Sequence, residues 1–170
     1  RSDRFSVVFE DKSVVIFESK NALPRALMVY DWEVIDERTE VLKNLLNEDF
    51  DYSQKVLLEK NISLTKPARS KADFSIAYEK YSEQESVIEV DTPESGLLFV
   101  SDAWFPGWQA FIDGQETIIH PANFAFRAVE VPEGKHEIRF IYKPNSFKNG
   151  VKVSFFSLGL LIILVSIIDK

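Results

Sequence analysis

The sequence predicts a mainly β fold: an antiparallel β-sandwich, jelly-roll-like, with one short helix and a C-terminal transmembrane helix. Three observations indicate this class. Short apolar or alternating segments recur between turn residues, a single internal segment has helical periodicity, and a long apolar run lies near the C-terminus. With 170 residues, the chain has room for one ordinary domain and one appended element. We therefore predict a β-sandwich domain over 1–147 and a transmembrane helix over 151–168.

The first predicted strands form a hairpin. Residues 5–10 (FSVVFE) and 13–18 (SVVIFE) flank the dipeptide Asp11-Lys12, which suits a turn between antiparallel strands. The segment 72–80 alternates between apolar and polar residues, as a strand with one buried face does. These segments predict three of the strands.

One segment interrupts the strands with the period of a helix. In residues 37–47 (ERTEVLKNLLN) the apolar side chains fall on one side, and Asp36 is suitably placed to cap the N-terminus. The residues on the apolar side are Val41, Leu42, Leu45 and Leu46. The polar stretch 60–71 contains Pro67 and is predicted to be a loop or an irregular edge.

The second half of the chain reads as a succession of short strands. They are predicted at 86–91, 96–101, 108–112, 115–120, 124–131 and 136–143. Asp113-Gly114 is the strongest hairpin signal in the chain, because both positions of a type I′ turn require positive φ. The few helical segments do not fit a βαβ pattern, so the sequence favours an antiparallel sandwich over a parallel sheet.

Composition excludes several classes of function. The formal net charge of -7 and the absence of a basic stripe argue against nucleic acid as a partner. Without cysteine there is no disulfide framework, thiolate metal site or Cys nucleophile. The two histidines, His120 and His136, lack the spacing of a metal site, and no nucleotide-binding loop occurs. No metal and no cofactor are predicted.

The apolar run near the C-terminus predicts membrane attachment. Residues 153–168 contain no charge, and a membrane crossing needs about 20 apolar residues. A buried core helix is the alternative. Lys143, Lys148 and Lys152 precede the run, and positive charge taken alone would place the β domain in the cytoplasm. The first residue, Arg1, is followed by no signal-peptide pattern, so we expect a longer parent protein.

The residue types that could carry chemistry each have two interpretations. Asp102 and Asp113 bracket an aromatic segment and could act as a carboxylate pair on a glycan, although each also suits a turn. Trp104 and Trp108 could stack on sugar rings, or they could pack in the core of the sandwich. The residues alone leave these alternatives open.

Several motifs resemble one known family. Residues 100–114 (VSDAWFPGWQAFIDG) resemble the signature S-D-x-[WY]-Y-P-G-W-x-A-x-V-D-G near the C-terminus of YfhO-like bacterial membrane proteins. A segment like 122–129, a P-x-G-x-H turn like 132–136 and a Y-x-P-x-S-F-x-x-G stretch like 142–150 follow in the same order. Upstream, 21–26 (NALPRA) resembles the N-x-x-x-P-R element of that family, with one residue fewer between Asn21 and Pro24.

The resemblance implies a polytopic parent protein with a GT-C-like membrane core, which transfers sugars from lipid-linked donors to acceptors of the cell envelope. This chain would be its extracytoplasmic sandwich and last membrane helix, located at the cell membrane. The acidic residues expected to catalyse transfer lie in membrane loops outside these 170 residues. No catalytic residue is therefore assigned here.

These observations predict an accessory domain that positions a glycan, a lipid-linked sugar or the rest of the parent protein for a glycosyltransferase core. The predicted binding residues are Asp102, Trp104, Trp108, Asn123 and Arg127, because aromatic rings beside polar groups are suited to sugars. A purely structural sandwich is the second interpretation. An independent glycan-acting enzyme that uses Asp102 and Asp113 is the third.

Overall fold

The structure, a computed structural model, describes residues 4–67 and 73–168. The strands of this part are β1 (Phe5–Glu10), β2 (Val15–Ser19), β3 (Ala26–Val29), β4 (Asp31–Val34), β5 (Lys55–Leu58), β6 (Ser75–Tyr81), β7 (Glu85–Thr92), β8 (Gly96–Val100), β9 (Trp108–Ile112), β10 (Gln115–Thr117), β11 (His120–Ala122), β12 (Phe126–Val131) and β13 (Gly134–Tyr142). Its helices are α1 (Arg38–Leu45) and α2 (Asn145–Ile168). The mainly β class is confirmed.

Two large sheets form the body of the domain. One has five strands in the order β10-β9-β13-β7-β6, and the other has six in the order β3-β8-β12-β11-β5-β4. The predicted hairpin at the N-terminus is confirmed as a separate two-stranded sheet of β1 and β2. The jelly-roll connection stays a prediction.

The main core lies between the two large sheets. Strand alternation places Val129 and Val131 of β12 in this core, while Ala128 faces the other side of the sheet. The five-stranded sheet contributes Ile138 and Phe140 of β13. Because both sheets supply fully buried side chains to one cluster, they pack face to face as a sandwich.

The six-stranded sheet is covered on its second face as well. Trp32 and Phe99 belong to a second cluster on that face. Ile62 and Leu64, from the loop after β5, pack against this cluster. This burial on both faces explains why β3 and β8 are continuous apolar runs and why β5 is apolar after Lys55. The same feature explains why β3 and β5 were not predicted, since short apolar runs carry no alternation. β4 was missed although its residues alternate, because the alternation extends over four residues only.

The purely antiparallel prediction is wrong for one pair of strands. β4 and β5 are parallel, with Trp32 opposite Val56, and α1 forms the crossover between them. A parallel pair needs such a connection, because the chain must return to the starting edge before the second strand. The predicted strand at 115–120 is also wrong in extent: the structure has β10 and β11 there, in different sheets.

The predicted helix at 37–47 is present but differs in detail. α1 begins after Glu37, which occupies the N-cap in place of Asp36 and makes no side-chain capping bond. Only Val41 and Leu45 are buried, and they pack with Leu57, a residue of β5. The other two residues on the predicted apolar side, Leu42 and Leu46, are exposed. Within 60–71, residues 60–67 form no helix or strand, as predicted, and the remainder extends beyond the described residues.

The C-terminal segment is helical, as predicted, and α2 begins earlier than the predicted 151. Its large apolar side chains are largely exposed, with Phe155 at 71% and Phe156 at 73% of full accessibility. Across residues 4–67 and 73–168, no helix has both the length and the apolar composition that a membrane crossing requires. The transmembrane part of the prediction is therefore not confirmed.

Candidate functional site

The candidate site is built around Arg127, which lies inside the sandwich. Alternation along β12 turns position 127 to the same side as the core residues Val129 and Val131, so its side chain enters the space between the sheets. The residue is 1% exposed. A buried guanidinium requires partners that compensate for its lost hydration.

Asp102 is the charged partner of Arg127. Val100, the last residue of β8, is paired with Arg127, so the chain just beyond it brings Asp102 beside the guanidinium. Arg127 Nη2 donates to Asp102 Oδ2 across 2.8 Å. The carboxylate thus holds the beginning of the loop 101–107 against the core.

A second arginine closes the cluster from outside. Arg25 Nη1 donates to Asp102 Oδ1 across 2.6 Å and also to the hydroxyl of Tyr81. The position of Arg25 follows from the backbone, because Ser101 N–H donates to the Arg25 carbonyl at 2.8 Å. One carboxylate therefore lies between two guanidinium groups, one half-exposed and one buried.

Aromatic rings of the opposite sheet complete the surroundings of Arg127. Its guanidinium carbon lies 4.0 Å from the ring centroid of Trp108 and 4.5 Å from that of Phe140. Such stacking stabilises a cation that has left water. Burial lowers the pKa of Arg127, while the carboxylate of Asp102 opposes that shift. Among the described residues, its Nε and Nη1 atoms have no hydrogen-bond partner.

The loop 101–107 leaves two aromatic side chains exposed. Trp104 is 38% exposed and Phe105 is 62% exposed, although the Trp104 N–H donates to the Ala125 carbonyl at 2.8 Å. The loop ends at Gly107, which has a φ of 113°. Only glycine adopts this backbone conformation at low energetic cost. Trp104 is thus accessible on an anchored backbone, whereas Trp108 is half-buried beside Arg127.

Asn123 occupies a different position from the other predicted site residues. It is 4% exposed, and its Oδ1 accepts from the backbone N–H of Leu57 at 2.8 Å. Its own N–H donates to the Leu57 carbonyl at 2.8 Å, so the residue continues the pairing between β11 and β5. The structure brings Asp102, Trp108 and Arg127 together and gives Asn123 backbone partners.

A groove opens next to Arg25, between the edge strands β3 and β6. It has a volume of about 540 Å³ and is lined chiefly by Arg25, Phe74, Ile76, Tyr78 and Tyr81. The hydroxyl of Tyr78 is buried and has no hydrogen-bond partner among the described residues. Burial raises the pKa of Tyr78 to about 12, so its hydroxyl is protonated at neutral pH.

Asp102 and Asp113, the proposed carboxylate pair, have separate partners. Asp113 forms the turn after β9 with positive φ, and its Oδ2 lies 2.6 Å from Nδ1 of His136. This contact lowers the pKa of Asp113, whereas a general acid on a glycan needs a raised pKa. Within 4–67 and 73–168, no group of three or more acidic or histidine side chains could hold a metal ion.

In a comparison with protein families, residues 45–154 match the family described as bacterial membrane protein YfhO. The match covers more than half of the chain. This chain belongs to the YfhO family of bacterial membrane proteins. Comparison with curated proteins and with solved structures gives no significant match.

The YfhO match includes every residue predicted for the site, but Arg25 lies outside it. Sequence reasoning also missed Tyr78, Tyr81 and Phe140, which complete the cluster and the groove. A signal for Arg25 was present, because the segment 21–26 resembles the N-x-x-x-P-R element of the YfhO family. No sequence pattern connects the other three to Asp102, since long-range pairing of strands brings them together.

Proposed function

We propose that this chain is the accessory β domain of a YfhO-family membrane protein and that it holds a glycan at the loop 101–107. One observation carries the proposal: the ion pair of Asp102 with buried Arg127 anchors a loop on which Trp104 stays exposed. Exposed rings beside hydrogen-bonding groups, held by a rigid support, suit the flat faces and hydroxyls of sugars.

We also propose that the domain lies on the extracytoplasmic side of the cell membrane and is attached there through α2. Membership of a membrane protein family and the exposed apolar side chains of that helix support the attachment to the membrane. The extracytoplasmic side follows the expectation from the family resemblance of the sequence motifs. An apolar surface of this kind requires a bilayer or an apolar protein surface as its partner. In this proposal the sugar transfer itself belongs to residues of the parent protein outside this chain.

The binding role is tested with two tryptophan variants of the full-length parent protein. Trp104→Ala is expected to lower sugar transfer in membranes about tenfold, equivalent to about 1.4 kcal/mol of lost binding, with an unchanged unfolding midpoint for the 170-residue chain. Trp108→Ala is the matched control and is expected to lower the midpoint, because that ring covers Arg127. Unchanged transfer by Trp104→Ala would refute the binding role.

The location is tested separately by protease treatment of sealed, right-side-out cells that express the parent protein. Cleavage within the β domain from outside is the expected result. Protection in intact cells, followed by cleavage after lysis, would place the domain in the cytoplasm and contradict the proposed location.

A purely structural module is the second candidate function. The burial of Arg127 and Asn123 and the stacking of Trp108 favour it, because these predicted site residues contact one another or the backbone. In that role Trp104 and Phe105 pack on the membrane-embedded part of the parent. Trp104→Ala would then reduce the amount of assembled parent protein while transfer per assembled molecule stayed constant.

A further inference from the structure

The groove beside Arg25 lies where the sandwich is open. β3 is the first strand of the six-stranded sheet, and β6 is the last strand of the five-stranded sheet. Between these two edge strands the groove of about 540 Å³ has the size of a small-molecule site. It is distinct from the exposed face of Trp104, although both adjoin the Asp102 cluster.

The lining of the groove combines ring faces with one cation. Phe74 and Tyr81 are 41% and 53% exposed, so their rings are accessible to a ligand. The guanidinium of Arg25 lies 4.6 Å from the ring centroid of Tyr81, which fixes it at the same end of the groove. Tyr78 packs edge-on against Tyr81, with centroids 5.7 Å apart, and adds a hydroxyl without a partner among the described residues.

The charge of the cluster is positive in an acidic chain. Arg25 and Arg127 share the single carboxylate of Asp102, which leaves one net positive charge, whereas the chain carries -7. Arg127 is buried and out of reach of a ligand. The accessible positive charge of the cluster is therefore that of Arg25, whose side chain is half-exposed.

We propose that this groove binds an acidic saccharide unit, with the sugar ring against Tyr81 and its phosphate or carboxylate group at Arg25. The inference rests on the proposed glycan-binding function and narrows it to a ligand class. The aromatic lining matches the apolar face of a sugar ring, and the net positive charge matches the anion. A neutral sugar would use the rings alone.

Calorimetric titration of the full chain in mild detergent tests this inference. The probes are glucose 1-phosphate, glucuronate, glucose and inorganic phosphate. We expect the two acidic sugars to bind about tenfold more tightly than glucose, the gain of one charge-assisted hydrogen bond. Inorganic phosphate is expected to bind more weakly than glucose 1-phosphate, because it lacks the ring. Equal binding of both phosphates would overturn the inference.

Two variants of the groove and one matched control assign the effect. Arg25→Gln is expected to remove the preference for acidic sugars, and Tyr81→Leu to weaken both of them. Arg38→Gln is the control, because Arg38 also lies 4.6 Å from an aromatic centroid, that of Phe124, away from the groove. The control is expected to bind like the wild type.

The outcomes separate this inference from the proposed function. If glucose and the acidic sugars bind equally and Arg25→Gln has no effect, the groove inference fails while glycan binding at Trp104 stands. If no saccharide binds, both fail. Should Arg25→Gln not fold, hydrogen exchange of the wild type decides: glucose 1-phosphate must slow exchange in β3 and β6, and unchanged exchange there refutes the site.

Discussion

Arg127 Nη2 and Asp102 Oδ2 lie 2.8 Å apart, and this pair joins the loop 101–107 to the interior of the sandwich. Arg127 lies in β12, and Asp102 lies just after β8, the strand paired with β12 in the same sheet. The rings that stack on the guanidinium come from the other sheet. One ion pair therefore links both sheets and the loop.

Removing the carboxylate should destabilise the domain strongly. Asp102→Ala leaves the charge of Arg127 buried and unpaired, and breaking a buried ion pair costs about 3–5 kcal/mol. Urea unfolding of the full chain measures the loss as a lower midpoint. The double variant Asp102→Ala/Arg127→Met should recover most of it, because no charge is then left without a partner.

The matched control is a pair on the surface. Lys43 Nζ lies 2.9 Å from Glu40 Oε2 on α1, and both side chains are largely exposed. Lys43→Ala is expected to leave the midpoint unchanged, because solvent screens such pairs. If Asp102→Ala also leaves the unfolding midpoint unchanged, the buried pair does not hold the sandwich together.

The turn at Gly107 should tolerate no side chain. Its φ is +113°, and an added Cβ would lie 2.9 Å from Cα of Pro144, which is backbone and cannot move aside. Gly107→Ala is therefore expected to cost roughly 1–3 kcal/mol more than Gly114→Ala, the excess being the price of overpacking.

Gly114 isolates the backbone effect, because its φ is +80° and an added Cβ would meet nothing within 4 Å. Gly114→Ala should thus show only the cost of positive φ, about 1–2 kcal/mol. Thermal unfolding of both variants makes the comparison. Equal losses would mean that the contact with Pro144 relaxes without cost.

Alternation predicted strands with one solvated face, such as β6 and β13, and turn chemistry predicted the exposed hairpin of β1 and β2. β1, β2, β6 and β13 were expected from these signals, and the Asp113-Gly114 turn has the positive φ values that its sequence implies. The missed strands β3 and β5 are buried on both faces of their sheet, where the period of two disappears. β4 keeps that period but is only four residues long. The parallel pair was missed with them, because a short helix of ordinary composition gives no sign of a crossover.

The candidate site was predictable only in part. Asp102, Trp108 and Arg127 were expected in one binding surface, because aromatic rings beside polar groups suit sugars, and the structure places Asp102 and Trp108 against Arg127. Sequence periodicity could not show that Arg127 is buried, because an arginine in a strand ordinarily faces water. Arg25 is 77 residues from Asp102 along the chain, and only the pairing of β3 with β8 brings the two together.

Asn123 should contribute to stability through its backbone contacts. Asn123→Ala removes the acceptor for the buried N–H of Leu57, which costs about 1–3 kcal/mol. It also places alanine at a φ of +46°, adding about 1 kcal/mol of strain. Asn123→Gly loses the same acceptor without the strain, so chemical unfolding should show it to be the milder variant. The reverse order would mean that φ at 123 relaxes in the variants.

The contact of His136 with Asp113 should make stability depend on pH. The carboxylate, 2.6 Å from Nδ1, raises the pKa of His136 above its ordinary 6.5, and the same contact lowers the pKa of Asp113 below 3.8. The histidine contribution is complete below 6.5 and is lost as pH rises through the raised pKa. The aspartate contribution is lost as pH falls below 3.8. The pair therefore stabilises the domain between these values.

Unfolding free energies of the wild type and His136→Gln, measured from mildly acidic to mildly alkaline pH, test this. The advantage of the wild type should shrink as pH rises, modestly, because Asp113 is half-exposed. His120 provides a control of opposite sign: burial lowers its pKa despite Glu130, whose Oε1 lies 2.9 Å from Nε2. Protonation of the unfolded chain then penalises the wild type at acidic pH, so its stability relative to His120→Gln should increase as pH rises. If both differences changed in the same direction, the contact with Asp113 would not govern the titration of His136.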